Sequence, residues 1–170
     1  MSESKLYHLI YAFITVIITV PCFVFYCSSV EAGGFTIDVI KNSLVFIPIE
    51  FILAYVCAIF IGNPLAMKIA NKIINPKETT QIVFENVIVC STVLVMCPLM
   101  SLLATFLYDG IIAVGFGGGD LGIFLMNIIP YWLQKVVINF PFALLSQVFF
   151  IQPLVRNIMP YIMNFTNEKA

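Results

Sequence analysis

Four apolar stretches decide most of what this chain can become. They run from about Leu6 to Val30, Leu44 to Ile61, Val87 to Leu107 and Ile123 to Ile151. Each approaches or exceeds the roughly 20 residues that a helix needs to cross ~30 Å of hydrocarbon. A lone strand would leave its backbone groups unpaired in lipid, so each stretch reads as a helix. Composition agrees. Only 10% of the 170 residues are charged and 61% are hydrophobic, where a soluble domain carries about 25% charged residues. The mean hydropathy is +1.05. So few polar groups cannot cover a surface in water, and the lipid bilayer is the first partner to expect. The net charge of −1 gives no electrostatic reason to expect nucleic acid. The first stretch is too long for a signal peptide, and Ser28-Ser29-Val30-Glu31-Ala32 is a weak cleavage site. It is read as a retained helix. The expected fold class is an all-α membrane protein with four transmembrane helices.

Lysine and arginine placement sets the expected orientation. Lys5 precedes the first stretch; Lys68, Lys72 and Lys77 lie in the second connection; Arg156 and Lys169 lie near the C-terminus. The first connection has Lys41 beside Glu31 and Asp38, and the third has Asp109 and Asp120 without a base. Both termini and the middle connection are therefore expected in the cytoplasm, with the chain in the cell's inner membrane. Lys135, beside the interfacial aromatics Tyr131 and Trp132, falls near the outer end of the fourth stretch.

The chain also reads as a doubled unit. IEFILAYVCAIFIGNPLAMKI (49–69) sets over INFPFALLSQVFFIQPLVRNI (138–158) at an offset of 89, pairing Ala54 with Ala143, Phe60 with Phe149 and Asn63-Pro64-Leu65 with Gln152-Pro153-Leu154. TVPCFVFYCSS (19–29) sets over MCPLMSLLATF (96–106) at an offset of 77, pairing Pro21 with Pro98. The glycine-rich GFGGGDLG (115–122) absorbs the difference. Two two-helix units follow, 1–76 and 77–170, forming one four-helix bundle of tandem parallel-repeat hairpins. Ala54, Ala58, Ala143 and Ser146 allow close helix contacts. Short amphipathic extensions follow the second and fourth helices. In the first, Leu65, Ile69 and Ile73 share a face opposite Lys68, Asn71, Lys72 and Asn75. This segment either lies on the inner headgroup layer or continues the second helix through a kink. Asp38, Asp120 and Thr79 or Thr80 are candidate helix caps.

The patterns IFIGNPLAMKIANKI, NFPFALLSQVFFIQPLVRNIM and VLVMCPLMSLLATFLYDG resemble the bacterial membrane proteins grouped as domain-of-unknown-function family 2798, over nearly the whole chain. The resemblance implies the tandem two-helix architecture and a bacterial membrane, and no activity or site residue. A more distant likeness is to the proteobacterial antimicrobial compound efflux family. Lys5-Leu6-Tyr7-His8 imitates its opening, but the position of its proton-binding glutamate, near Phe13, is apolar here.

Glu50 is the leading pathway candidate, since it stands about seven residues inside the second stretch. That places it roughly 10 Å below the outer end, where a carboxylate costs a few kcal/mol unless it is protonated, paired or facing water. Its counterpart in the second unit is Asn139. Lys135 is a natural partner one turn further out, and the alternative is that it extends to the outer headgroups. Glu50, Lys135 and Asn139 therefore form the candidate ion or substrate pathway, or else a set of bonds between helices. Asn127, Gln134, Asn139 and Gln147 make a polar series along the fourth stretch. His8 is the only histidine and sits at the inner interface. The cysteines Cys22, Cys27, Cys57, Cys90 and Cys97 form no metal-ligand spacing and read as packing, with Cys90 and Cys97 on one helix face. No catalytic set is present. The GxGxxG at Gly117–Gly122 follows no strand. No enzyme, cofactor or metal is expected.

Two functions stay open. One is a small proton-coupled transporter or efflux-like permease for an apolar or cationic solute, working as a homodimer because four helices enclose little room. The other is a non-transporting accessory protein that binds another membrane protein.

Overall fold

The computed structural model describes residues 3–75 and 78–167; Lys77 and Lys169, which entered the orientation argument, lie outside them. The described residues are helical, with no strand among them. Helix α1 (Glu3–Glu31) is followed by the short α2 (Ile37–Ser43) and then by α3 (Ile47–Cys57). A π-helical segment, Ala58–Gly62, carries α3 into α4 (Asn63–Ile73). Helix α5 (Gln81–Ala104) runs into a second π-helical segment, Thr105–Phe116. Helix α6 (Leu121–Ser146) passes through a third, Gln147–Ile151, into α7 (Gln152–Asn167). Four continuous rods result, at Leu9–Glu31, Ile47–Ile73, Ile82–Ile112 and Leu121–Ile162. All four are long and apolar enough to cross a membrane, which is compatible with a multi-pass membrane protein. The third begins earlier than Val87 and takes Glu85 and Asn86 into its first turns.

Two of the π-helical segments stand at the same place relative to a proline. Pro64 and Pro153 carry no N–H, so the carbonyl four residues before each loses its helical donor. The backbone opens there to five-residue hydrogen bonds. The Asn63 N–H donates to the Ala58 carbonyl, and the Gln152 N–H to that of Gln147. These bonds stand 89 residues apart. The chain does not break at Gly62 or Asn63, where φ and ψ stay helical. Of the two expectations for residues 63–73, the continued helix is therefore the observed one. Its buried edge is Ala66 and Ala70, both 0% exposed, where α4 meets α5. Leu65 and Ile73 point outward instead. The small residues set the contact because they let the backbones approach. We expect Ala66→Leu to cost about 1–3 kcal/mol by overpacking, read as a lowered unfolding midpoint in detergent; an unchanged midpoint would mean that the α4–α5 contact is looser than drawn.

Helices α1 and α5 occupy opposite corners of the bundle, each touching both of the other rods. Val16, Val20 and Val24 of α1 pack on Ala54 and Ala58, with Met96 and Met100 of α5 closing the cluster. Ile14 packs on Ile151, Val155 and Met159. Val93 and Cys97 pack on Ala143. Gly62 lets the Met96 side chain lie close, since a Cβ would stand 2.6 Å from the Met96 sulfur and that flexible side chain would have to shift. Burial repeats along the chain. Ala12, Ile14, Val16, Val20 and Val24 are buried, and so are Val89, Ser91, Val93, Cys97 and Ser101, each 77 residues on. Ala66 and Ala70 are matched 89 residues on by buried Val155 and Met159, and exposed Phe60 by exposed Phe149. Ser146 contributes less than expected between helices, bonding instead to the Phe142 and Ala143 carbonyls of its own helix. Cys90 is exposed and Cys97 buried, although seven residues place them on one helix face. The bundle covers that face only from Val93 inward.

Candidate functional site

The rods alternate in direction, so charge separates between the bundle's two ends. Lys68, Lys72 and Arg156 stand at one end with Glu78 and Glu85, and at the other Glu31, Asp38, Glu50, Asp109 and Asp120 outnumber Lys41 and Lys135. A cavity of about 640 Å³ runs between the rods, and its lining reaches Glu85 and Arg156 at the basic end and Glu31, Glu50 and Lys135 at the acidic end. Most of its wall is apolar, with polar groups at intervals. Sites that bind small molecules share that balance.

The polar groups form three tiers. At the basic end, Arg156 Nε lies 3.2 Å from Glu85 Oε2, and its Nη2 donates to Asn86 Oδ1 at 3.3 Å. These contacts join α7 to the start of α5. In the middle, the Tyr11 hydroxyl donates to Gln152 Oε1. The Gln152 amide donates to Gln147 Oε1 at 3.4 Å, and the Gln147 amide donates to Thr19 Oγ1 at 2.9 Å. Thr19 in turn donates to the Thr15 carbonyl. This ladder joins α1 to the third π-helical segment. Gln152 is buried and can sit there because both ends of its amide are bonded.

At the acidic end the expected residues gather with different partners. Glu50 lies in the first turn of α3. It stands closer to the helix start than its place in the apolar stretch suggested, because the helix opens only at Ile47, with Pro48 in its first turn. The helix N-terminus favours a carboxylate at that point. Glu50 accepts a hydrogen bond from the Tyr108 hydroxyl. Lys135 does not pair with it. Its Nζ lies 2.9 Å from Asp109 Oδ2 and 3.9 Å from Glu31 Oε1, and 5.8 Å from the centre of the Tyr108 ring. The Lys135 side chain is 19% exposed and turns toward these carboxylates. Asn139 does not bridge the two residues; its Oδ1 accepts from the Cys27 thiol at 3.5 Å. All three candidates line the same cavity.

Asp109, Tyr108, Glu31 and Cys27 were not singled out from sequence. Asp109 looked like a loop residue, but the third rod continues past Leu107 as a π-helical segment and carries it to Lys135. Gly110 permits this, since a Cβ there would lie 3.0 Å from the Phe124 ring of α6. The available signal was the sequence Tyr-Asp-Gly directly after an apolar run that lacked a partner for Lys135. The polar series of the fourth rod divides. Gln147 and Asn139 face the cavity, Gln134 is exposed, and Asn127 bonds the Ile123 carbonyl of its own helix. Asp120 caps α6, with Oδ1 accepting from the Gly122 N–H at 2.7 Å. Asp38 caps nothing; Thr36 caps α2 in its place. Thr80 stands at the α5 cap position without a side-chain bond. Among the described residues no group of histidine, cysteine or carboxylate side chains could hold a metal.

The fold and cavity define a class: an all-helical protein of four long apolar rods around a polar-tiered cleft. Within that class the chain belongs to the DUF2798 family, a domain of unknown function whose model matches residues 79–163. The match covers the second of the two read units and not nearly the whole chain. No curated protein and no solved structure matches.

Proposed function

We propose that the protein is a small membrane transporter that carries an apolar or cationic solute through the central cavity, with Glu50 handling the coupled proton. The cavity is the observation that carries this reading, since its lining reaches both charged ends of one chain. A second copy is not needed to build it. The doubled unit belongs to the same reading. Burial and the two proline-linked π-helical segments repeat at the offsets of 77 and 89, and the family match covers one unit. Two units related by an axis along the membrane normal would place equivalent walls on either side of a central path. The exposed shell of Phe60, Phe149 and Phe150 suits lipid, and the lysines of α4 suit the cytoplasmic face of the inner membrane. The role is one of passage and not of catalysis.

The test is a solute screen in proteoliposomes that carry an internal pH dye. At least one solute gradient should change internal pH in loaded vesicles and not in empty ones. A folded protein silent to a broad panel would return the protein to the accessory class. Cysteines placed at Lys72 and Asp120 should label from opposite sides of the bilayer.

A further inference from the structure

We propose that the Lys135 ammonium occupies, as a tethered ligand, a seat built for the ammonium group of a primary alkylamine solute. The inference rests on the transport reading for the solute's route, while the seat itself is a matter of binding. Lys135 stands midway along α6 (Leu121–Ser146), and a lysine in an apolar helix ordinarily extends its flexible stem toward water. Lys135 instead turns into the bundle, between Asp109 Oδ2 at 2.9 Å and Glu31 Oε1 at 3.9 Å. The Tyr108 ring centre stands 5.8 Å from the same nitrogen. Carboxylates together with an aromatic ring are the chemistry that retains an alkylammonium ion.

Two features separate this seat from a plain cross-link. Glu31, Tyr108 and Lys135 line the cavity while Asp109 stands behind the Lys135 ammonium, so a solute travelling along the cavity reaches the seat from the Glu31 and Tyr108 side. The charges are also unequal. One ammonium faces Asp109 and Glu31, and Glu50 lies just across Tyr108. The surplus of acid attracts a second cation. From Cβ outward a lysine side chain is an n-butylammonium ion, so the resident group records the size and charge of what fits. An incoming ammonium takes over Asp109 and Glu31 while the Lys135 stem swings aside. The same exchange releases the only side-chain ion pairs that join α1 and the Thr105–Phe116 segment to α6 among the described residues.

The experiment is chemical rescue. Lys135→Ala is titrated in detergent with n-butylammonium chloride, read by the unfolding midpoint and by the fluorescence of Trp132. That residue is the chain's single tryptophan and stands one turn from position 135. We expect a saturable rise in midpoint, with binding at least about tenfold tighter than to the wild type because the resident competitor is gone. n-Butanol and sodium chloride at equal concentration should do nothing, and Asp109→Asn in the same background should abolish the response. Equal rescue by butanol, equal rescue by salt, or no saturable response would overturn the proposal. Should Lys135→Ala not fold, wild type is compared with Asp109→Asn. A saturable fluorescence response confined to wild type supports the seat, and matching responses overturn it. Seat binding without vesicle proton flux counts against the transport reading alone; flux without seat binding counts against this inference alone.

Discussion

Glu50→Gln is expected to reduce solute-driven proton movement to the level of protein-free vesicles while the bundle stays folded. The substitution separates chemistry from packing. Glutamine keeps an oxygen that can accept from the Tyr108 hydroxyl, the bond that holds Glu50 in place, so the stability change should stay within about 1 kcal/mol. What it loses is the titratable proton. Glu50→Leu removes both, and stranding the half-buried Tyr108 hydroxyl should cost about 1–3 kcal/mol. The pair of variants therefore has a signature: equal loss of flux and unequal loss of stability. Vesicle pH traces and unfolding midpoints in detergent read the two quantities. Normal flux in Glu50→Gln would remove Glu50 from the proton path whatever the solute.

Lys135→Met is expected to lower stability more than any other removal of a single charge at the acidic end. It leaves Asp109 partly buried and without its cation. Breaking a fully buried pair costs about 3–5 kcal/mol; this pair keeps some exposure, at 19% and 34%, so about 2 kcal/mol is expected here. Combining Lys135→Met with Asp109→Asn should recover about half of the loss, because the double variant strands no charge. Combining it with Glu50→Gln should recover far less, since Glu50 bonds to Tyr108 and not to Lys135. Unfolding midpoints of the six proteins in these two cycles decide the matter. Additive losses in the Asp109 cycle would show that the ion pair contributes nothing.

The two cycles also show where a sequence reading stops. Glu50 and Lys135 were the obvious opposite charges in apolar surroundings, and pairing them was the simplest inference from linear positions. The inference failed because the third rod continues past Leu107 and carries Asp109 to Lys135. A run of wider turns from Thr105 to Phe116 changes the phase of every side chain after Ala104, and phase decides which residue faces Lys135. Composition does not register a change of helical pitch. The α4 face misled for a related reason. Leu65, Ile69 and Ile73 form the more hydrophobic stripe, yet the helix buries Ala66 and Ala70. Where lipid is the solvent, large apolar side chains gain nothing by turning inward, and close approach of backbones decides the contact.

Local chemistry by itself determined that four apolar helices form, roughly where each lies, that prolines punctuate the second and fourth at matching positions, and that Asp120 starts the last rod. These features depend on residues close in the chain, through hydrophobic run length and the missing proline N–H. Only the tertiary structure decided which charge meets Lys135, that Glu50 bonds to Tyr108, and that one chain encloses a cavity reaching both ends. Those outcomes depend on how each rod is rotated against its neighbours. Rotation is set by packing summed over the whole bundle, so no single stretch of sequence carries it.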